Sequence, residues 1–224
     1  MKKHKIIKLI LITIISGVAT FSYLVYTCDL VKEEDLTRTS LDRTSWLLPR
    51  QWKKYNKEAR DTSDDTVTRV IYGDGSLKDN KSSSVLLISQ MKQQTSPTNA
   101  LPEYYETLRE SLLNEFDPSQ IRDELASAGN IGCKQKPSVN KSPDKSDTNG
   151  VVGLISVTAS CPIEYSSFII KIRLVVGKND GIVRAISLSS AETTWKKNKA
   201  AFDKMLGSIS TSGSYAMETT IAQN

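Results

Sequence analysis

From Leu9 to Cys28 the chain runs LILITIISGVATFSYLVYTC, twenty residues without a charge, ended by Asp29. At about 1.5 Å per residue this covers roughly 30 Å, the thickness of a bilayer core, and predicts one N-terminal membrane-spanning helix. Residues 29–45, DLVKEEDLTRTSLDRTS, are polar, lack glycine and carry few apolar side chains, so they read as a tether. The domain opens at Trp46-Leu47-Leu48-Pro49 and Trp52, followed by a polar stretch over 53–65. Residues 66–72, TVTRVIY, are rich in β-branched side chains and lead into the Gly73-Asp74-Gly75 turn, and 83–91, SSVLLISQM, form a second strand with a buried middle. In 102–116, Tyr105, Leu108, Leu112 and Phe116 make one helical stripe, with Pro102 suited to the first turn and Asp117-Pro118 ending it. A further helical turn or two is expected over 119–128, a strand over 130–136, and a solvated loop over 137–150, PSVNKSPDKSDTNG.

Three β-rich runs follow in succession, 150–161, 165–176 and 182–189, joined at Pro162-Ile163-Glu164 and at 177–181, GKNDG. An antiparallel meander is the economical arrangement. In the middle run Phe168, Ile170, Ile172, Leu174 and Val176 alternate with Ile169, Lys171, Arg173 and Val175, which turns one strongly apolar face inward. Ser189 and Glu192 have the spacing of a capping box. Trp195, Phe202, Met205, Leu206 and Ile209 then fall on one side of a final helix, with Lys196, Lys197, Lys199 and Lys204 mostly opposite, and 211–224 read as a frayed tail. The segments are thus 1–28 (basic stub and anchor), 29–45 (tether), 46–210 (one α+β domain) and 211–224 (tail).

The charge sharpens the topology. The 224 residues hold 30 Lys plus Arg against 25 Asp plus Glu, a formal +5, but Lys2, Lys3, Lys5 and Lys8 precede residue 29 without an acid beside them. Removing those four leaves 26 basic and 25 acidic groups, or +1, so the basicity belongs to the stub. Lysines before the apolar run predict a cytoplasmic N-terminus, a single pass through the cell membrane, and an extracytoplasmic body, periplasmic or extracellular. Tyr23 and Tyr26 suit the outer interface. Three fates of the segment remain open. The run is longer than a cleaved signal core and has only the poor site around Val18-Ala19-Thr20. Lipidation of Cys28 would follow a lipoprotein signal, to which Val25-Tyr26-Thr27 is a poor match. An uncleaved anchor fits the length best.

Exported, Cys133 and Cys161 are the ectodomain's two thiols, and an oxidising compartment favours a disulfide between them, with two reduced buried cysteines as the alternative. Closing a loop of about 29 residues contributes on the order of 3 to 4 kcal/mol in the chain-entropy model. The single histidine, His4, lies in the stub, which argues against a Ser-His-Asp triad, a Cys-His dyad or a multi-histidine metal centre in the domain. No cofactor loop is present. Asp61, Asp64, Asp65, Asp74 and Asp79 lack EF-hand spacing and suit turns. The lysines of the 137–150 loop lack aromatic interleaving, so no nucleic acid is expected. Lysines of the last helix with Lys53, Lys54 and Lys57 suit a solvated face, an acidic partner or anionic lipid. Trp195 is expected in the core, and so are Trp46 and Trp52, although these two stand at the domain edge, where a partner surface is the alternative. Asn80-Lys81-Ser82 and Asn140-Lys141-Ser142 match the glycosylation sequon.

The order of these elements, a Trp-Pro opening, two strands, a helix, a central strand pair, then a three-strand meander running into AETTWKKNKAAFDKMLGSI, resembles the PsbP-like superfamily, which includes bacterial DcrB-type envelope proteins. The likeness runs from about Trp46 to Ile209, with Met205-Leu206-Gly207-Ser208-Ile209 matching the family's helix end; the cysteine pair departs from it. The resemblance implies an antiparallel sheet packed between helices and a role in binding, assembly or chaperoning. The expected function is therefore a non-enzymatic, membrane-anchored accessory or assembly factor of an envelope complex, partnered by the membrane and a protein. A carrier holding an apolar ligand, lipid or hydrophobic segment on its sheet is the alternative.

Overall fold

A computed structural model describes residues 30–61, 65–74, 84–93, 102–115, 138–145, 149–162, 167–178 and 180–211, with the single positions 117, 119, 123 and 147. Strands β1 (Leu36–Leu41) and β2 (Thr44–Pro49) form an antiparallel hairpin. Seven further strands, β3 (Lys53–Asp61), β4 (Asp65–Gly73), β5 (Ser84–Gln93), β6 (Ser138–Pro143), β7 (Val151–Pro162), β8 (Ser167–Gly177) and β9 (Val183–Ala191), make one sheet. Its order is β3-β4-β5-β9-β8-β7-β6, and every neighbouring pair is antiparallel. Helix α1 (Pro102–Glu115) packs on one face; α2 (Glu192–Lys197), α3 (Lys199–Gly207) and the hairpin pack on the other. The protein is α+β with its sheet between helices, as the sequence predicts.

Alternation builds both cores. On β8, Ile170, Ile172, Leu174 and Val176 join Ile155, Val157 and Ala159 of β7 beneath Leu108 and Leu112 of α1. Helix α1 has no basic residue in its last turn, and Lys141 of β6 donates instead to the Leu113 carbonyl, satisfying an end that its own residues leave open. Across the sheet, Leu86, Ile88, Ile186 and Leu188 meet Phe202, Met205, Leu206 and Ile209, together with Leu41, Trp46 and Leu48 of the hairpin.

Several expectations are corrected. Residues 36–45 are not a tether: Leu41 and Thr44 are buried, and β2 is fastened to the chain after α3 by paired Ser45–Ser210 backbone bonds of 2.9 Å each. Residues 53–61 form an edge strand with a bulge between Lys54 and Asn56. Residues 138–143 within the expected loop form the other edge, held by β7. Charge and proline are what edges carry, so both read as solvent-facing from sequence. Ser189 is no cap: it lies inside β9 paired with Val85 and Ile170, and Ala191 occupies the N-cap of α2 without a side-chain bond. The final helix divides at Asn198, whose backbone leaves helical ψ (17°) while its Oδ1 accepts the Val31 N–H at 2.8 Å. Among the described residues no helix is long and apolar enough to cross a membrane. The expected anchor over 1–28, the elements at 119–128 and 130–136 and the tail after 211 fall outside them or nearly so.

Candidate binding cleft

The second face of β8 carries the chemistry. Period-two alternation sends Lys171 and Arg173 toward α2 and α3, flanked on β7 by their register partners Thr158 and Ser156. The antiparallel pairing and the edge of α3 leave a cleft of about 270 Å³ there, whose lining includes these four residues with Asp203, Leu206 and Gly207. That volume suits a side chain or a headgroup-sized moiety better than a large cofactor.

Each charge in the cleft is met by another. Lys171 Nζ donates to Asp203 Oδ1 at 2.9 Å and stands 4.9 Å from the centre of the Trp195 ring, a cation–π contact. Lys199 reaches the other Asp203 oxygen at 2.5 Å. Arg173 forks onto Asp144, Nε to Oδ2 and Nη2 to Oδ1 at 3.2 Å, and its Nη1 donates to the Leu206 carbonyl at 3.0 Å. A guanidinium on a late α3 carbonyl both satisfies an open acceptor and opposes the helix dipole. Ser156 Oγ donates to Asp144 Oδ2 at 3.4 Å. Burial alone would raise the Asp203 pKa, but hydrogen bonds from Lys199 and Lys171 outweigh it and hold the carboxyl below its ordinary range. Glu192 is likewise lowered, first by its hydrogen bond from Lys196. Together these groups present hydrogen-bond donors, acceptors and charge to the cleft.

Trp46 and Trp52 are not a partner surface. They are 1% and 5% exposed, Trp46 packed edge-on to Tyr72 at 5.9 Å and Trp52 to Phe202 at 6.2 Å, because the hairpin and the turn after it fold over the sheet. Trp195 is in the core, 5.3 Å from Phe202. Burial raises the Tyr72 pKa, partly offset by a hydrogen bond with Thr39. Cys161 lies on β7 opposite Phe168, while Cys133 and Cys28 fall outside the described residues. Asp74, just past the end of β4, accepts the Ser84 N–H of β5 at 3.1 Å, and among the described residues no group of His, Cys, Asp and Glu is placed to hold a metal. Sequence reasoning missed the cleft. The signal was two cations at i and i+2 inside an apolar strand, which marks a lined seam as readily as an exposed face.

No protein-family model matches the chain, and no curated protein matches it. Solved structures are similar to it. The solution structure of cyanobacterial PsbP (CyanoP) from Synechocystis is 15% identical, covering 83% of this chain and 97% of that one at a TM-score of 0.41. A chain from Bacteroides thetaiotaomicron is 10% identical over 75% of this chain and 44% of its own, with a TM-score of 0.38. LpqN, involved in cell envelope biogenesis of Mycobacterium tuberculosis, is 11% identical over 75% of this chain and 82% of that one, with a TM-score of 0.34.

Proposed function

We propose that this chain is a membrane-anchored extracytoplasmic binding domain, acting without catalysis as an accessory or assembly factor of an envelope complex. The observation that carries the proposal is the cleft between β8 and α3, lined by Lys171, Arg173 and Asp203, where Lys171 is paired with Asp203 and Arg173 with Asp144. Such an arrangement of fixed donors and acceptors suits holding a ligand's polar groups in register. The apolar run over 9–28 with its preceding lysines supports the anchor and its orientation. The sequence resemblance to the PsbP-like superfamily, DcrB-type proteins included, supports an assembly role. The carrier alternative requires apolar sheet positions to be open, and among the described residues most are buried beneath the helices and the hairpin, with Val67, Val139, Val152 and Ile169 partly exposed.

Affinity capture of the full chain from native membranes tests the proposal. Defined protein partners, lost on Lys171→Glu, are the expected result. Stoichiometric lipid or peptide retained through purification, with no protein partner, would favour the carrier instead.

A further inference from the structure

The sequence places 17 residues, 29–45, between the apolar run and the domain. Extended, they would reach about 60 Å. The fold removes nearly all of that slack. Val31 is buried, 5% exposed, and its N–H is bound by Asn198 at the junction of α2 and α3. Just after it the chain makes a single 3-10 turn over Glu33–Asp35, and Glu33 takes the Lys204 ammonium at 2.8 Å before β1 begins. From Val31 onward the segment belongs to the domain.

Between Cys28, the end of the apolar run, and Val31 stand only Asp29 and Leu30. Three Cα steps span at most about 11 Å. We infer that the face around Asn198, formed by the 3-10 turn and the exposed sides of α2 and α3, docks on the bilayer that holds the protein's own N-terminal helix. This rests on the anchor proposed above. Leu30, 51% exposed and the exposed large hydrophobic residue among those described, sits where chain and interface meet. The docking is enforced by covalent closeness and not by lipid charge, since Lys32, Lys196, Lys199 and Lys204 are each paired with a carboxylate of the same face. Asp203 follows Asn198 by five residues, about 7.5 Å of helix, so the cleft opens beside the membrane-facing end of the domain.

The test uses the full chain in phosphatidylcholine vesicles containing headgroup nitroxide lipid, with a fluorescent amino acid at exposed Ala200 or, for reference, at Lys57 on the β3 edge. Quenching at Ala200 should exceed that at Lys57. Inserting about 20 Gly/Ser residues between Asp29 and Leu30, an r.m.s. reach of about 25 Å, should lower it about twofold or more. Adding phosphatidylglycerol should change neither result. Quenching at Ala200 that equals that at Lys57, ignores the inserted linker, or requires anionic lipid overturns the inference. Chain released from the vesicles by an alkaline carbonate wash overturns the anchor reading along with it, whereas retained chain with linker-independent quenching overturns the docking alone.

Discussion

Asp180→Ala should be among the most damaging single substitutions in the domain. Arg184 is fully buried, and Asp180 receives it through two bonds, Nη2 to Oδ2 at 2.7 Å and Nη1 to Oδ1 at 3.2 Å. The same guanidinium donates to the Ile182 carbonyl at 2.8 Å and to Thr44 Oγ1 at 2.6 Å, and the Thr44 hydroxyl in turn donates a hydrogen bond to Gln90 Oε1 at 2.8 Å. The network thus fastens the hairpin to the middle of the sheet. Removing the carboxylate strands a buried cation, which costs about 3 to 5 kcal/mol. For a domain of this size that lowers Tm by about 6 to 20 °C. Urea unfolding of the full chain in detergent, followed by the fluorescence of the three tryptophans, measures it. The double variant Asp180→Ala with Arg184→Met should be more stable than Asp180→Ala alone, because the stranded charge is gone. Gly177→Ala attacks the pair from its other side, since a Cβ there runs into the Asp180 carboxylate and comes within 2.8 Å of Arg184 Nη1, and it should destabilise comparably. A cost below about 1 kcal/mol for Asp180→Ala, or a double variant whose cost equals the sum of the two singles, refutes the reasoning.

Other measurements reach other parts of the structure. Ser208 Oγ accepts the Leu47 N–H and donates to the Met205 carbonyl, each at 2.7 Å, so Ser208→Ala should cost about 1 to 3 kcal/mol and speed hydrogen exchange at Leu47. Asp203 has a lower pKa folded than unfolded; its contribution is present above its ordinary value of 3.8 and is lost as pH falls through the lower folded value. The stability gap between wild type and Asp203→Asn should therefore be constant near neutrality, at most about 1 kcal/mol because the carboxylate is partly exposed, and should close in acid; a gap that widens in acid contradicts the pairing. Denatured but unreduced protein from the native compartment should show neither Cys133 nor Cys161 open to thiol labelling, and two labelled ectodomain thiols would exclude the disulfide.

What could be read from sequence followed a single physical line. Strands β7 to β9 and helix α1 carry their own apolar period, so their order and their antiparallel pairing were legible, as was the buried side of α2 and α3. Strands β1, β3 and β6 were not, because each is polar and stays extended only through its neighbour. LTRTSL reads as a tether until Leu41 and the facing TSWLLP bury Trp46 and Leu48 against the final helix. KKYNKEARD and SVNKSP have the composition of loops and owe their conformation to ladders with β4 and β7. Trp46 and Trp52, at the domain edge, left core and partner surface both open in sequence; their company, Tyr72 and Phe202, lies far along the chain. The cleft was hidden for the same reason, since Ser156, Arg173 and Asp203 come from three separate segments.

The claim that this domain works by holding a protein partner in its cleft is tested most directly by photo-crosslinking in native membranes from a photoreactive residue at Thr158, on the cleft wall. A discrete protein adduct, lost when Lys171→Glu is added and absent when the photoreactive residue sits at Lys57, is the predicted result. Adducts to lipid alone, or the same adducts from both positions, would contradict it.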